Sequence, residues 1–464
     1  KNLFSLADVI HREEDLILED GANLKSKIWL PNKSGKWPAL LMRQPYGKEI
    51  ASTVTYPHPF WLASHGFLVI IQDVRGQGES TGHFLGFEQE AFDTSQTHQW
   101  ARNLPECNGL LGTYGFSYQG ITQLLAMPDT APPECLAPAM TGLDEGRHWS
   151  SEGGAFWWHI GISWGLQLAA LKARKKGNIN DWMIIRESLE NGSYLRNGPD
   201  LLQKYDPDGM IQKWLKTSNE FTKQWTIHKP LRTWLQQPML LFGGWWDPHL
   251  LGVLDIYQQS LEAGGTPSLH IGPATHLDWW EGTSNILLNF FKKHLQLSDD
   301  FNNIEQKKHL WNLTTYQWED SHEKLDSIPS WGLKSTGIAN VESNDGVLVP
   351  NSKGSGLIIL VHDPWRPVPS IGGHLAPNPG QADRSAIDKR LDVATFTSPP
   401  LTKSLRIEGK PILEIEAYAD QKGFDICVAL SSVDQTESKV TQLSTGFLRI
   451  IGEESLKVSS RKIT

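Results

Sequence analysis

The stretch Leu110-Leu111-Gly112-Thr113-Tyr114-Gly115-Phe116-Ser117-Tyr118-Gln119-Gly120, with the apolar run Ile121 to Met127 behind it, constrains this chain more than any other feature. It reads as a buried strand, a sharp turn and a helix, with Ser117 at the turn. A serine placed there takes a strained backbone conformation that lifts its hydroxyl out of the sheet. Gly115 and Gly120 are small enough to let strand and helix pack closely behind it. This is the form of a nucleophile elbow. The spacing is G-x-S-Y-x-G instead of the common G-x-S-x-G, because Gln119 holds the second glycine's place and Gly120 follows one residue later. Glycines around a serine also suit an ordinary turn, so the reading depends on partners further along the chain.

Composition narrows the classes of function. At 464 residues the chain has room for two or three domains of about 150 residues. With 39% hydrophobic and 20% charged residues it is an ordinary globular composition. No run approaches the roughly 18 apolar residues of a membrane span. A net charge of -9 without a basic stripe argues against a nucleic-acid partner, whose phosphates call for lysine and arginine. Cys107, Cys135 and Cys427 are far apart and odd in number, which suits reduced thiols in a cytoplasmic protein and not a disulfide framework or a zinc site. Residues Lys1 to Glu13 lack the apolar core and cleavage site of a signal peptide, so the protein is expected not to be secreted unless such a segment has been removed. The 20 tryptophans, many between Trp100 and Trp280, offer large flat faces for a core or a ligand pocket.

Along the chain, Asp15 to Trp29 alternate about Asp20-Gly21 as a hairpin, and Trp37 to Met42 form an apolar strand ending at Arg43-Gln44-Pro45-Tyr46-Gly47-Lys48. Phe67 to Ile71 lead into a glycine-rich loop from Gln72 to Gly82. Its spacing does not match a dinucleotide loop, and Asp73 and Arg75 are expected to tie backbone together there. Glu88 to Asn103 reads as a helix with Phe92 and Trp100 turned inward. From about Ser150 to Trp234 the pattern is helical without a convincing strand. Strand and helix then alternate again: Pro238 to Asp247, helix Leu250 to Ala263, strand Ser268 to Gly272, helix Ser284 to His294. Beyond about Asp300, short alternating segments such as Leu357 to Val361, Pro411 to Tyr418 and Asp425 to Ser431 suggest a β-sandwich.

A serine hydroxyl becomes a useful nucleophile when a histidine takes its proton and a carboxylate holds that histidine's tautomer. In α/β-hydrolases the chain order is Ser, acid, His, and the later members stand just beyond the carboxyl ends of strands. Asp247 ends one strand and His276 follows another, in that order. His249, at a helix start, His270, inside a strand, and Asp255, in mid-helix, are weaker candidates. The oxyanion needs donors: the backbone N–H of Tyr118, and a second from the loop after the early strand, where Tyr46 offers a phenol.

Together these residues resemble the cocaine esterase/NonD hydrolases, relatives of the X-prolyl dipeptidyl aminopeptidases and α-amino-acid ester hydrolases. The resemblance is carried by R-Q-P-Y-G-K, D-V-R-G-Q-G-E-S-T-G, G-F-S-Y-Q-G, E-G-G-A-F, G-G-W-W-D, G-P-A-T-H, D-P-W-R-P-V-P-S-I-G-G and L-S-T-G-F-L-R, spread over nearly the whole chain. It implies an α/β-hydrolase core at 1–145 and 235–299, a helical cap at 146–234, and a C-terminal jelly-roll β-sandwich at 300–464. It also implies Ser117 as nucleophile, Asp247 as acid, His276 as base, and Tyr46 and Tyr118 as oxyanion donors. Glu152, Phe156, Trp157 and Trp246 are the substrate-facing candidates. The expected activity is metal-independent and cofactor-free hydrolysis of an ester or amide in a small molecule or short peptide, without nucleic acid or membrane, by a chain that can form a homo-oligomer. Two alternatives stay open: release of X-Pro dipeptides, with Glu152 pairing the substrate's amine, and a catalytically silent binding module. Two departures stand out. Gln119 is unusual after the tyrosine and is expected to alter the pocket wall, and the jelly roll is expected to stop before its closing strands.

Overall fold

The computed structural model describes residues 5, 8–49, 55–220, 224–297, 308–321, 328–434, 436 and 438–464. These fall into two compact units, Lys1–Asp320 and Ser321–Thr464. The expected boundary at 299/300 lies outside the described residues.

In the first unit, β1 (Val9–Ile17) and β2 (Asn23–Pro31) form the hairpin about Asp20-Gly21, paired from Val9↔Pro31 to Ile17↔Asn23. There follow β3 (Trp37–Gln44), α1 (Pro59–Ala63), β4 (Leu68–Asp73), α2 (Glu90–Arg102), β5 (Cys107–Phe116), α3 (Tyr118–Ile121) and β6 (Cys135–Ala139). A short hairpin of β7 (Ser151–Glu152) and β8 (Ala155–Phe156) opens the cap. Five helices continue it: α4 (Trp158–Lys175), α5 (Ile179–Asn191), α6 (Tyr194–Tyr205), α7 (Met210–Asn219) and α8 (Arg232–Leu235). The chain then returns through β9 (Met239–Trp246), α9 (Leu250–Ala263), β10 (Pro267–Thr275), α10 (Thr283–Leu295), β11 (Lys308–Asn312) and β12 (Gln317–Asp320).

All of these strands except β7 and β8 build one sheet, in the order β1-β2-β4-β3-β5-β6-β9-β10-β11-β12. Its middle, from β4 to β11, is parallel, and β1, β2 and β12 add antiparallel edges. The central strands read as unbroken apolar runs because helices cover both faces; every residue of β4 is buried. The order reverses between β4 and β5, on either side of β3, and an open α/β sheet forms its crevice outside the carboxyl ends at such a switch.

Two local expectations give way to packing. Phe92 and Trp100 are only half-buried, and the buried face of α2 carries Glu90, Asp93, Thr94, Thr97, His98 and Ala101. The cause lies in β3, where Arg43 is buried and needs acceptors. It finds Glu90 Oε2 at 2.7 Å, Thr94 Oγ1 at 2.7 Å and Gln72 Oε1 at 2.8 Å. A charge enclosed in the core requires a polar covering, which outweighs the usual apolar stripe. The helix behind the elbow is also short: α3 ends at Ile121, and Thr122 to Leu124 continue as a turn.

The second unit has three antiparallel pairs among its described residues: β13 (Trp331–Lys334) with β14 (Val347–Pro350), β15 (Leu413–Ala417) with β18 (Ser459–Ile463), and β16 (Gly423–Asp434) with β17 (Lys439–Ile451). Leu357 to Val361, expected as a strand, lies in no ladder among the described residues. Leu357, Ile359 and Val361 are 68%, 74% and 77% exposed. Alternation alone cannot supply the neighbour that a strand needs to satisfy its backbone.

Candidate active site

The site is assembled at the carboxyl ends of β3, β5, β9 and β10. At the end of β5, Ser117 has φ 59° and ψ -123°, a conformation that side chains other than glycine's rarely take. Its surroundings over-determine it. Ser117 N–H donates to Ala139 O and Met140 O at 3.0 and 3.1 Å, and Ser117 O accepts from Gly120 N and Thr141 Oγ1. The glycine spacing follows from the same close approach. A Cβ at Gly115 would lie 2.4 Å from Gln119 Cβ, and one at Gly120 would lie 2.6 Å from Thr141 Cβ. Gln119 itself is buried with its Cβ over Gly115, so it takes part in the elbow's packing.

Asp247 follows β9 and His276 follows β10. Gly244 lets these strand ends come together, for a Cβ there would sit 2.4 Å from Ala274 O. Asp247 is 1% exposed, yet both of its oxygens are engaged: Oδ1 with His276 Nδ1 at 2.7 Å, Oδ2 with the backbone N–H of His249 at 3.1 Å. His249 is the N-cap of the 14-residue α9, so the Asp247 carboxylate lies at the positive end of that helix. The bond to Asp247 occupies one nitrogen of His276 and leaves Nε2 without a hydrogen-bond partner among the described residues. Phe116, the residue before Ser117, packs against this imidazole with ring centroids 5.2 Å apart. Trp279 Nε1 bonds the carbonyl of His276 at 3.2 Å.

Tyr118 and Tyr46 contribute differently. The phenol of Tyr118 points into the core, where it donates to Glu90 Oε1 at 2.7 Å. Burial pushes the Glu90 carboxyl above its ordinary range, against the pull of Arg43. The part of Tyr118 facing the elbow is its backbone N–H, which has no acceptor inside α3 because it opens that helix. Tyr46 is held at both ends. Its N–H donates to Gln44 Oε1 at 2.7 Å, and Gln44 is fixed by Asp73 Oδ1 at 2.8 Å. Its hydroxyl accepts the indole N–H of Trp164 at 2.9 Å. Burial raises the Tyr46 phenol's pKa well above the ordinary value, so it stays protonated.

Of the substrate-facing candidates, Trp157 is buried with its ring 5.5 Å from that of His249. Glu152 and Phe156 are half-buried on the β7–β8 hairpin, and Trp246 is half-buried at the end of β9, opposite Thr275. Asp73 does tie backbone, accepting Glu79 N at 3.0 Å and, through its own carbonyl, Ser80 Oγ at 2.7 Å. Arg75 instead grips the carboxylates of Asp93 and Asp20.

His249 and Trp164 are the residues that spacing undervalues. His249 is buried, donates Nδ1–H to His148 O at 2.7 Å, and lies 5.0 Å from the His276 ring; burial lowers it to about 4, so it stays neutral. Donor atoms of Asp247, His249 and His276 lie within 4.8 Å of one another, but both Asp247 oxygens already hold N–H groups, which suits a hydrogen-bonded triad better than a metal cradle. Trp164 reads as one more apolar residue on a cap helix, and nothing in its spacing signals the bond to Tyr46.

Comparison with known proteins places the chain in a family. Residues 20–278 match the model of the X-Pro dipeptidyl-peptidase (S15 family), and residues 312–463 match the X-Pro dipeptidyl-peptidase C-terminal non-catalytic domain. The cocaine esterase of Rhodococcus sp. (strain MB1 Bresler) is 24% identical over 480 residues, covering 95% of this chain and 83% of that one. Among solved structures, an aminopeptidase from a marine sediment Thaumarchaeota archaeon superposes with a TM-score of 0.68 at 18% identity, over 99% of this chain and 86% of its own. An α-amino acid ester hydrolase superposes at 0.64 and 19% identity, over 98% and 85%. With an α/β-hydrolase core, an elbow serine and a C-terminal β domain, this chain belongs to the X-Pro dipeptidyl-peptidase S15 family and is a serine hydrolase.

Proposed function

We propose that this serine hydrolase cleaves an ester or amide through an acyl-enzyme on Ser117, with His276 as base, Asp247 as its orienting carboxylate, and the Tyr118 N–H and Tyr46 hydroxyl as oxyanion donors. The observation that carries the reading is the 2.7 Å contact between buried Asp247 and His276 Nδ1, together with a serine at φ 59° whose preceding residue, Phe116, packs on that imidazole at 5.2 Å. Asp247 fixes the tautomer with the proton on Nδ1, which leaves Nε2 as the acceptor for the Ser117 proton. As Oγ bonds to the acyl carbon, the carbonyl oxygen gains charge and is met by the two donors. The imidazolium, stabilised by Asp247, then protonates the leaving group. Water repeats the sequence to release the acid and restore the serine.

The family's name keeps X-Pro dipeptide release in view, and the relatives include a cocaine esterase. Glu152, on the hairpin that opens the cap, is the carboxylate we assign to an incoming amine if the substrate is a peptide. Fluorophosphonate labelling of Ser117, with parallel assays on p-nitrophenyl esters and Ala-Pro-p-nitroanilide, tests the reading. Absence of labelling at Ser117 sinks it, and the ratio of the two activities separates esterase from peptidase.

A further inference from the structure

Three tryptophans of the cap and its base pack together beside Tyr46, and each has its indole N–H committed. Trp149 donates to Gly142 O at 2.8 Å, Trp214 to Glu145 Oε2 at 2.7 Å, and Trp164 to the hydroxyl oxygen of Tyr46 at 2.9 Å. Trp164 packs against both of the others, stacked on Trp149 at 5.7 Å between centroids and tilted against Trp214 at 5.8 Å, and those two meet each other at 6.4 Å. Its helix, α4, is seated by close approach: a Cβ at Gly165 would meet Ile211 at 2.8 Å and Leu202 at 2.9 Å, and one at Gly161 would meet Phe156 at 2.7 Å. The indole therefore has little freedom to swing away from Tyr46. Indole N–H is a donor only, so the phenol oxygen must be the acceptor in this bond, and the phenol's own proton is left to be given elsewhere. A hydroxyl that accepts one hydrogen bond also becomes a stronger donor in the next.

We propose that Trp164 is a positioning residue for catalysis, through which the cap aims and polarises the Tyr46 hydroxyl toward the developing oxyanion. This rests on the reading of Tyr46 as an oxyanion donor and adds the requirement that the donor works only when α4 is seated. The cap and the oxyanion hole are then joined by a side-chain bond between residues 118 apart in the chain. A lone tyrosine on a loop could rotate its hydroxyl toward water; with Trp164 in place, one orientation is preferred before substrate arrives.

The test is a double-mutant cycle on the whole chain, read as the rate of Ser117 phosphonylation by a fluorophosphonate and as kcat on p-nitrophenyl butyrate. Trp164→Phe keeps an aromatic ring and deletes the N–H. It should lower both rates by about 10-fold with KM little changed, the scale of one hydrogen bond felt in the transition state. In a Tyr46→Phe background the same change should cost less than about 2-fold, because the bond it removes no longer has an acceptor. Replacement of Trp164 by 3-benzothienylalanine, which keeps the bicyclic shape without the N–H, should reproduce the Trp164→Phe result and separates the bond from packing. Multiplicative losses in the double variant, or a benzothienyl variant with the parent's rates, overturn the proposal alone. Tyr46→Phe with rates within a few-fold of the parent removes Tyr46 from the oxyanion hole and overturns the proposal together with the reading beneath it.

Discussion

The two units of this chain meet the same requirement, covering apolar strands, in opposite ways. In Lys1–Asp320 one ten-stranded sheet is covered until β4 has no exposed residue and even arginine, glutamate and aspartate are enclosed with partners. In Ser321–Thr464 the described strands form three separate pairs, β15 alternates between half-buried and exposed, and Trp365 is 92% exposed. Close packing makes the first unit intolerant of an added atom, and that intolerance is what lets it hold a serine in a strained conformation. The second unit has far less to lose at any one side chain.

The sharpest way to break this contrast is at the elbow. Ser117→Ala is expected to reduce hydrolysis by about 10^4-fold or more without lowering the melting temperature, since the strain stays where the packing put it; a variant retaining several per cent of activity would place the nucleophile elsewhere. Tyr46→Phe is expected to lower kcat by about 100- to 1000-fold, roughly 3 to 4 kcal/mol, with KM little changed. Steady-state kinetics on a p-nitrophenyl ester reads both.

Stability measurements probe the packing itself. A glycine within a helix ordinarily gains about 0.5–1 kcal/mol when replaced by alanine. At Gly252, in α9, the new Cβ would stand 2.3 Å from Thr141 O and 2.6 Å from Gly142 Cα. Overpacking of that kind costs about 1–3 kcal/mol or more, so the clash wins and Gly252→Ala should lower the urea midpoint. A midpoint that rises would mean that the unit relaxes more freely than its contacts suggest.

Acid should also separate the units. Burial lowers His98 and His270 to about 3 and His249 and His294 to about 4, and all four belong to the first unit. Their folded values lie below that of an unfolded histidine, so the unfolded chain binds protons first. Their stabilising effect is whole above about pH 6.5 and is lost progressively as pH falls toward about 4 for His249 and His294 and about 3 for His98 and His270. Each fully buried ring should account for about 2 kcal/mol of loss by pH 5. Calorimetry at pH 7 and 5 should show the larger unit's transition move down, and His98→Phe, which keeps the stack on Trp234, should reduce that shift. The smallest effect is expected in the second unit: Leu357→Ser and Ile359→Ser, at exposed and unpaired positions, should change stability by less than about 0.5 kcal/mol. A larger loss would reveal a burial partner for this segment and erase the contrast.

What the sequence determined by itself is what short-range backbone constraints dictate. Gly115 and Gly120 flank a serine whose φ is positive, a turn at Asp20-Gly21 sets one hairpin, and strand ends carry Asp247 and His276 in order, which the fold brings to 2.7 Å. Each of these is settled within a few residues by sterics and periodicity. What only the tertiary structure decided depends on which rows of side chains face each other across long separations. Arg43 inside the core puts polar side chains on the buried face of α2, α4 brings the Trp164 indole to Tyr46, and Leu357 to Val361 find no strand to pair with among the described residues. A hydrophobic pattern names the face that wants covering, but the covering partner, and any polar group it carries inward, is chosen by helix seating and by the hydrogen bonds an enclosed charge demands.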